Sequence, residues 1–168
     1  MKRIQLSKNF YLDEFQRSQT ATRHGIDMTI VEGGVFHANL KRLCRDVLQP
    51  VRNHFGPVSI TSGYRPAKLN KLIKGSKTSQ HLTCQAADFV VPGHTPLEVA
   101  RWIRDNCKGY DQLIHEFGEW VHVSVPQHNQ LPRQMNLTAA KLSGLFGRLK
   151  TVYVTGLISV ETAIKGAA

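Results

Sequence analysis

The sequence predicts one domain in which helices are mixed with short strands. The chain has 168 residues, of which 41% are hydrophobic and 20% are charged, as in an ordinary globular domain. Some segments repeat apolar residues every three or four positions, as amphipathic helices do. Other segments are short apolar runs bounded by turn residues, as strands are. No repeat or linker divides the chain, so we expect residues 1–168 to form a single domain.

Start and stop signals place the helices. The predicted helical segments are residues 7–15 (a capped turn or short helix), 34–56, 67–73, 95–107 and a patch near 137–145. The segment 34–56 is the main core helix, which Pro50 should kink or shorten and Gly56 should end. Thr95 is an N-cap followed by a proline at the first helical position, which makes its helix the best marked.

Five segments are predicted to be strands. They are residues 58–61, 86–91, 112–117, 120–125 and 151–157. Gly118 and Glu119 lie between the third and the fourth, which favours a hairpin with a two-residue turn. Residues 158–168 give no structural signal and are treated as a tail.

Charge and cysteine content restrict the function only broadly. There are 22 Lys and Arg residues against 12 Asp and Glu, a net charge of +10, which favours anionic partners such as nucleic acid, a membrane surface or a cell-wall polymer. The three cysteines lack CxxC spacing, so neither a disulfide framework nor a zinc finger is indicated.

The sequence contains no signal for export or membrane insertion. The segment after Lys2 and Arg3 is interrupted by polar residues, and no apolar run reaches the ~20 residues that span a membrane. We therefore expect a protein that is made in the cytoplasm without a signal peptide.

A carboxylate within an apolar run is the first indication of chemistry. Asp88 lies in the predicted strand 86–91, where an ionised group is costly unless it is paired or binds a metal. His81 lies seven residues upstream, and His122 lies within another apolar strand. Two imidazoles and one carboxylate would form a catalytic zinc site with an open fourth position. Each of the three residues, taken alone, is more often a hydrogen-bonded core side chain, so spacing leaves that alternative open.

The surrounding motifs resemble those of a known family. The segment 79–89, SQHLTCQAADF, resembles the SxHxxGxAxD motif of the zinc D-Ala-D-Ala carboxypeptidases of the M15 family. The segment 116–124, EFGEWVHVS, resembles the second ligand strand of that family, and residues 61–65, TSGYR, resemble its SGYR segment. The resemblance covers residues 7–126, with a weaker match over 127–157.

The resemblance implies a fold, an activity and a metal. The fold would be α+β, with a small antiparallel sheet flanked by helices, of the Hedgehog/DD-peptidase type. The activity would be a peptidoglycan carboxypeptidase or L-alanyl-D-glutamate endopeptidase acting on stem peptides, as in phage endolysins. His81, Asp88 and His122 would bind one Zn²⁺ per chain.

The resemblance also implies roles for residues around the metal. Arg65 would bind the substrate carboxylate or stabilise the oxyanion, and Ser79 is expected to contact substrate. Two glutamates are candidates for the general base. Glu119 stands three residues before His122, as in the family's ExxH arrangement, whereas a two-residue turn would face Glu116 away from the metal.

The same predicted register places His115 opposite His122. His115 is therefore a candidate substrate contact or fourth ligand, although an exposed strand histidine is the commoner alternative.

One residue departs from the family pattern. Cys84 occupies the position where the motif has glycine. A thiol near zinc could compete as a soft ligand, but we expect a buried, inert cysteine.

Basic residues form a stripe between the motifs. Arg65, Lys68, Lys71, Lys74 and Lys77 recur at every third position without an acidic residue among them. The stripe is either a solvated surface or a means of attracting anionic peptides and the cell envelope.

The alternative functions are a nucleic-acid-binding module and a non-catalytic wall-binding domain. No nucleic-acid-binding motif accompanies the basic residues, and all three ligands and a candidate base are present. We expect a monomer that acts on the cell wall after release from the host cytoplasm, as a holin-released lysin does.

Overall fold

Helices and a six-stranded sheet make up the α+β fold, which is described by a computed structural model for residues 3–143 and 148–167. The strands are β1 (Gln5–Ser7), β2 (Phe10–Tyr11), β3 (Ser59–Ser62), β4 (Ala86–Val90), β5 (Gln112–Glu116), β6 (Trp120–Ser124), β7 (Met135–Ser143) and β8 (Leu149–Thr155). The α-helices are α1 (Gln19–Arg23), α2 (Val35–Leu43), α3 (Gln49–Phe55), α4 (Ala67–Leu72), α5 (Pro96–Asn106) and α6 (Val160–Ala167). Short 3-10 helices cover Leu12–Gln16 and Gln80–Thr83.

The main sheet has the strand order β3-β4-β6-β5-β7-β8. All its neighbouring strands are antiparallel except β5 and β7, which are parallel. The expectation of an antiparallel sheet was therefore wrong at this pair. Alternate residues of β4, β5 and β6 face the core and are buried among side chains of α2, α5 and the segment between α2 and α3. The opposite face of the sheet is left to form a cleft.

The main helix is continuous through the predicted kink. A π-helical turn, Cys44–Leu48, joins α2 to α3, and its last hydrogen bond runs from the Gln49 amide to the Cys44 carbonyl. Because Pro50 has no N–H to donate, a local change of helical pitch just before it is the expected accommodation. The helix ends at Gly56, whose φ of 91° is in the region that favours glycine.

The helix beginning after Thr95 is confirmed, with the Thr95 hydroxyl accepting from the Glu98 amide at 3.2 Å. The short helix after residue 66 is also confirmed as α4. Residues 7–15 form the end of β1, then β2 and most of a 3-10 helix. None of the described helices is long and apolar enough to cross a membrane.

The region after β6 differs most from the sequence prediction. The predicted helical patch at 137–145 is wrong over 137–143, which belong to β7, while residues 144 and 145 lie outside the described part of the chain. Pairing with β5 on one side and β8 on the other supplies β7 with hydrogen bonds that outweigh the local helix propensity of its alanines. The supposed tail contains α6.

The β5–β6 hairpin has a three-residue loop instead of the predicted two-residue turn. Glu116 pairs with Trp120, and Ile114 pairs with His122. Phe117, the first loop residue, has a φ of 58°, and its amide donates to the Ala139 carbonyl of β7 at 3.0 Å. The extra residue reverses the expected facing of Glu116 and of its neighbours in β5.

A buried aspartate fixes the start of β7. Asp111 Oδ1 accepts from the Arg133 backbone amide and Nε, both at 3.0 Å, and Oδ2 accepts from the Arg133 guanidinium at 2.5 Å and from Gln80 Nε2 at 3.0 Å. The Met135 amide then donates to the Asp111 carbonyl at 2.9 Å. Burial opposes ionisation, but these partners, Arg133 first, lower the pKa of Asp111 below its usual 3.8.

We expect Asp111→Asn to lower the free energy of unfolding at about pH 7 by roughly 1–3 kcal/mol, because it leaves the half-exposed Arg133 without its counter-charge. The folded-state pKa is depressed, so this stability is fully present above about pH 4 and is lost as the pH falls through the folded value. Urea titrations of both proteins at about pH 7 and about pH 3 measure the effect. A difference that stays constant or widens in acid would contradict it.

Candidate metal centre and active-site cleft

Two rows of side chains cross the open face of the sheet. The first row contains, in register across the strands, Ser62, Asp88, His122, Ile114, Leu137 and Thr155. The second row contains Trp120, Glu116, Ala139 and Tyr153. Side chains from both rows line a cleft of about 760 Å³, together with residues of the loop that follows α4.

His81, Asp88 and His122 converge in this cleft. His81 is 1% exposed, Asp88 is 6% exposed and His122 is 8% exposed. Asp88 Oδ1 lies 2.8 Å from His122 Nδ1 and 3.2 Å from His81 Nε2, and the two nitrogens are 3.2 Å apart. The structure thus brings together three donor atoms from β4, β6 and the 3-10 helix before β4.

Donor type and spacing fit a tetrahedral metal ion. Zinc binds imidazole nitrogen and carboxylate oxygen at about 2.0–2.2 Å, which places neighbouring tetrahedral donors about 3.3–3.6 Å apart. Two of the donor separations, both 3.2 Å, are close to this range, and the third, 2.8 Å, is shorter. Within the described residues, no other group of three His, Cys, Asp or Glu side chains has this proximity.

The His81 ring is oriented by the backbone. Its Nδ1 lies 2.7 Å from the Gly63 carbonyl, which has no proton to donate, so Nδ1 carries the proton and Nε2 is left as the acceptor. This is the usual support for a metal-binding histidine. Gly63 itself cannot carry a side chain without a shift, because a Cβ there would lie 2.6 Å from the Phe15 backbone.

The protonation states also suit a metal ligand set. Burial lowers the pKa of His81, and the favourable effect of Asp88 only partly offsets this, so the ring is neutral at neutral pH. Burial would raise the pKa of Asp88, but His81 and His122 hold it well below its usual range. The cluster therefore offers a neutral imidazole at His81 and a carboxylate at Asp88, beside the second imidazole of His122.

Arg65 contacts the cluster from its edge. Its guanidinium forms an ion pair with Asp88 Oδ2, and its Nε donates to Ser62 Oγ at 2.8 Å. The Arg65 amide also donates to the His81 carbonyl at 3.1 Å. Asp88 Oδ2 is thus occupied, while Oδ1 is the oxygen within the donor triangle.

The two candidate bases occupy different environments. Glu116 shares the cleft face with His122 and lines the cleft, whereas Glu119 is exposed in the hairpin loop and is not among the lining residues. Burial raises the pKa of Glu116, and the positive potential of His122 only partly offsets this. The structure therefore places Glu116, and not Glu119, beside the metal-binding cluster.

Of the two predicted substrate contacts His115 and Ser79, only Ser79 lies in the cleft. The predicted register for His115 was wrong, because this residue pairs with Val121 and points to the opposite face of the sheet. It is 3% exposed, and its Nδ1 lies 3.0 Å from the Ile158 carbonyl near α6. Ser79 does line the cleft.

Cys84 is not part of the donor cluster. Its φ of 58° is in the left-handed region, which explains why glycine suits this motif position. Its side chain is buried, and burial raises the pKa of the thiol to about 12. The expectation that Cys84 is buried is confirmed.

The walls of the cleft differ in character. Arg65, Lys74 and Arg133 are basic lining residues, whereas Ile114, Leu137 and the ring of Tyr153 are apolar. Arg65 contacts Asp88 of β4, and Leu137 and Tyr153 lie on β7 and β8 towards the other end of the sheet. Lys68, Lys71, Lys74 and Lys77 are all exposed, and none forms an ion pair within the described residues. The basic stripe thus reaches the edge of the cleft through Lys74.

Sequence reasoning missed Leu137 and Tyr153 as cleft residues. Both come from the β7–β8 hairpin, half of which was predicted to be helical. The alternation of Val152, Tyr153 and Val154 could have indicated that the tyrosine faces away from the two valines, but not which structure lay beneath it.

A family comparison agrees with this geometry. Residues 8–124 match the profile of the family described as Peptidase M15, and they include the metal-binding cluster, Arg65 and Glu116. A search of curated proteins found no match. Since the matched segment is more than half of the 168 residues, the chain belongs to the peptidase M15 family.

Proposed function

We propose that this protein is a zinc peptidase that cleaves a peptide bond in the stem peptides or cross-links of peptidoglycan. Family membership and the His-Asp-His cluster support a metallopeptidase. The observation that carries the proposal is the conjunction of that cluster with Glu116 and Arg65 in one cleft.

His81, Asp88 and His122 would hold the zinc ion. When bound, zinc supplies Lewis-acid polarisation of a carbonyl and makes water a stronger nucleophile at neutral pH. Zinc is favoured over harder ions because two of the three donors are imidazole nitrogens.

Glu116 is the proposed general base. It stands next to His122 on the cleft face, and its raised pKa makes its carboxylate a better proton acceptor than a free glutamate. It would take a proton from the attacking water and return it to the leaving amine. Glu119 was the earlier expectation, but the three-residue loop leaves it exposed outside the cleft.

Arg65 supplies fixed positive charge at the edge of the cluster. Its hydrogen bond to Ser62 holds the guanidinium in place. It would bind a substrate carboxylate or stabilise the oxyanion of the tetrahedral intermediate.

The charge of the cleft supports an acidic peptide as substrate. Lys74 and Arg65 line the cleft, and Lys68, Lys71 and Lys77 of the stripe are exposed. Stem peptides carry free carboxylates and small apolar side chains, which match the basic and the apolar lining residues respectively. We propose that the same stripe binds the anionic envelope, that the protein acts as a monomer on the cell wall, and that it serves in host-cell lysis.

Digestion of purified peptidoglycan followed by mass spectrometry of the released muropeptides tests this function. We expect new peptide fragments and free amino groups, with intact glycan strands, and the fragment masses identify the bond. Terminal D-Ala release would indicate a carboxypeptidase, and internal cleavage an endopeptidase. Cleavage of glycan bonds, or no release in the presence of zinc, would contradict the proposal.

A further inference from the structure

The β7–β8 hairpin extends the cleft beyond the segment that matches the family. That match ends at residue 124, whereas β7 begins at Met135 and β8 ends at Thr155. Two side chains of the hairpin, Leu137 and Tyr153, line the cleft. The hairpin is therefore the part of the cleft for which the family match assigns no role.

Tyr153 lies in the same row as the proposed base. Glu116 pairs with Ala139 of β7, and Ala139 pairs with Tyr153 of β8. Ala139 is buried and is the one residue between Glu116 and Tyr153 in this row of the sheet. The spacing of adjacent strands, about 4.8 Å, puts the Tyr153 backbone about 10 Å from that of Glu116.

The Tyr153 side chain is accessible to a ligand. It is 57% exposed, and its hydroxyl makes no hydrogen bond to another described residue. Partial burial, together with the carboxylates of Glu116 and Asp88, raises the pKa of Tyr153, so the hydroxyl keeps its proton and remains a donor.

The adjacent row gives the apolar part of this wall. Leu137 pairs with Ile114, which in turn pairs with His122. An apolar surface thus runs from the His-Asp-His cluster towards the Tyr153 ring, away from Arg65, which contacts Asp88 of β4 nearer the other end of the sheet.

We propose that Tyr153 is a substrate-binding residue, which donates a hydrogen bond to the peptide backbone while Leu137 and the tyrosine ring contact a small apolar side chain beside the scissile bond. This inference rests on the proposed peptidase function. It assigns the substrate an orientation, with its carboxylate towards Arg65 and Lys74 and its apolar side chain towards the hairpin.

Tyr153→Phe and Tyr153→Ala test the proposal, with Tyr11→Phe as the matched control. Tyr11 packs under the Arg3 guanidinium in the N-terminal hairpin, 4.0 Å from it, and does not line the cleft. We expect Tyr153→Phe to lower kcat/KM for a stem peptide by roughly 3- to 10-fold, the loss of one neutral hydrogen bond. Tyr153→Ala should lower kcat/KM further, mainly by raising KM, because it also removes the ring. Tyr11→Phe should have the kcat/KM of the wild type.

Zinc content and thermal midpoint are measured for every variant, because a substrate contact should leave both unchanged. If the wild type is active and Tyr153→Ala has the same kcat/KM, this inference is overturned but the proposed function stands. A wild type that cleaves no stem peptide would overturn the proposed function and this inference together. A fall in zinc content in Tyr153→Phe would also overturn it, since the residue would then act on the metal site.

Discussion

Replacing His81 or Asp88 by alanine is expected to remove the metal and to lower peptide hydrolysis by at least about 10³-fold. Each residue contributes one of only three donor atoms, at separations of 2.8–3.2 Å. The charge stabilisation that a catalytic metal supplies is worth several kcal/mol, and each ~1.4 kcal/mol is a factor of ten in rate. Metal content by mass spectrometry and initial rates on muropeptides measure the two losses.

The matched control is His128→Ala, an exposed histidine that does not line the cleft. It should retain metal and full activity. Because Asp88 is buried beside Arg65, the milder Asp88→Asn and a circular dichroism spectrum separate metal loss from misfolding. A folded His81→Ala or Asp88→Asn protein with wild-type metal content and rate would contradict the assignment.

Glu116→Gln is expected to lower kcat by roughly 10²- to 10⁴-fold with the metal retained, which is the usual contribution of a general base. The amide keeps the shape of the side chain but cannot accept the proton. Glu119→Gln is the matched control and should change kcat by less than about twofold, because that residue is exposed outside the cleft. Kinetics and metal content are measured on the same preparations.

The reverse pattern would show that Glu119 is the base and that the hairpin loop rearranges when substrate binds. Comparable losses of kcat in Glu116→Gln and Glu119→Gln would contradict the assignment of Glu116 as the single general base. Loss of metal in Glu116→Gln would make Glu116 a residue that supports the ligands instead of the base.

The proximity of His81 and Asp88 could be predicted from sequence because their signal is local. A carboxylate within the apolar strand 86–90 needs a compensating partner, and His81 stands seven residues before Asp88 at the end of a polar loop. His122 required the resemblance as well, since a strand histidine has many structural roles. The structure then placed all three on adjacent elements.

The sequence offered both Glu116 and Glu119 as candidate bases, but the facing of Glu116 could not be predicted because it depends on a distant strand. The loop after Glu116 gains its third residue where the Phe117 amide binds the Ala139 carbonyl of β7. β7 had been predicted as partly helical, so this bond was invisible from the sequence. Taking Gly118 and Glu119 as a two-residue turn gave the wrong hairpin register and hence the wrong facing of Glu116 and His115. The separate prediction of a helix in β7 led to the omission of Leu137 and Tyr153 from the cleft.

The helices from α2 to α5, by contrast, were predicted from caps and breakers that act within one turn, whereas α1 was not predicted. The hydroxyl of Thr95 caps the start of α5, and the backbone conformation of Gly56 ends α3. α6 was missed although it has a signal of this kind, since the Ser159 hydroxyl directly before it accepts from the Thr162 amide at 3.2 Å. It also packs on β7 and β8.

The most direct test of the account is the effect of removing and restoring zinc in the wild-type protein. The account predicts about one zinc per chain, as a three-ligand catalytic site implies, no muropeptide release after a chelator has removed it, and recovery of the full rate when zinc is added back. Undiminished peptidoglycan cleavage by a protein shown to contain no metal would contradict it.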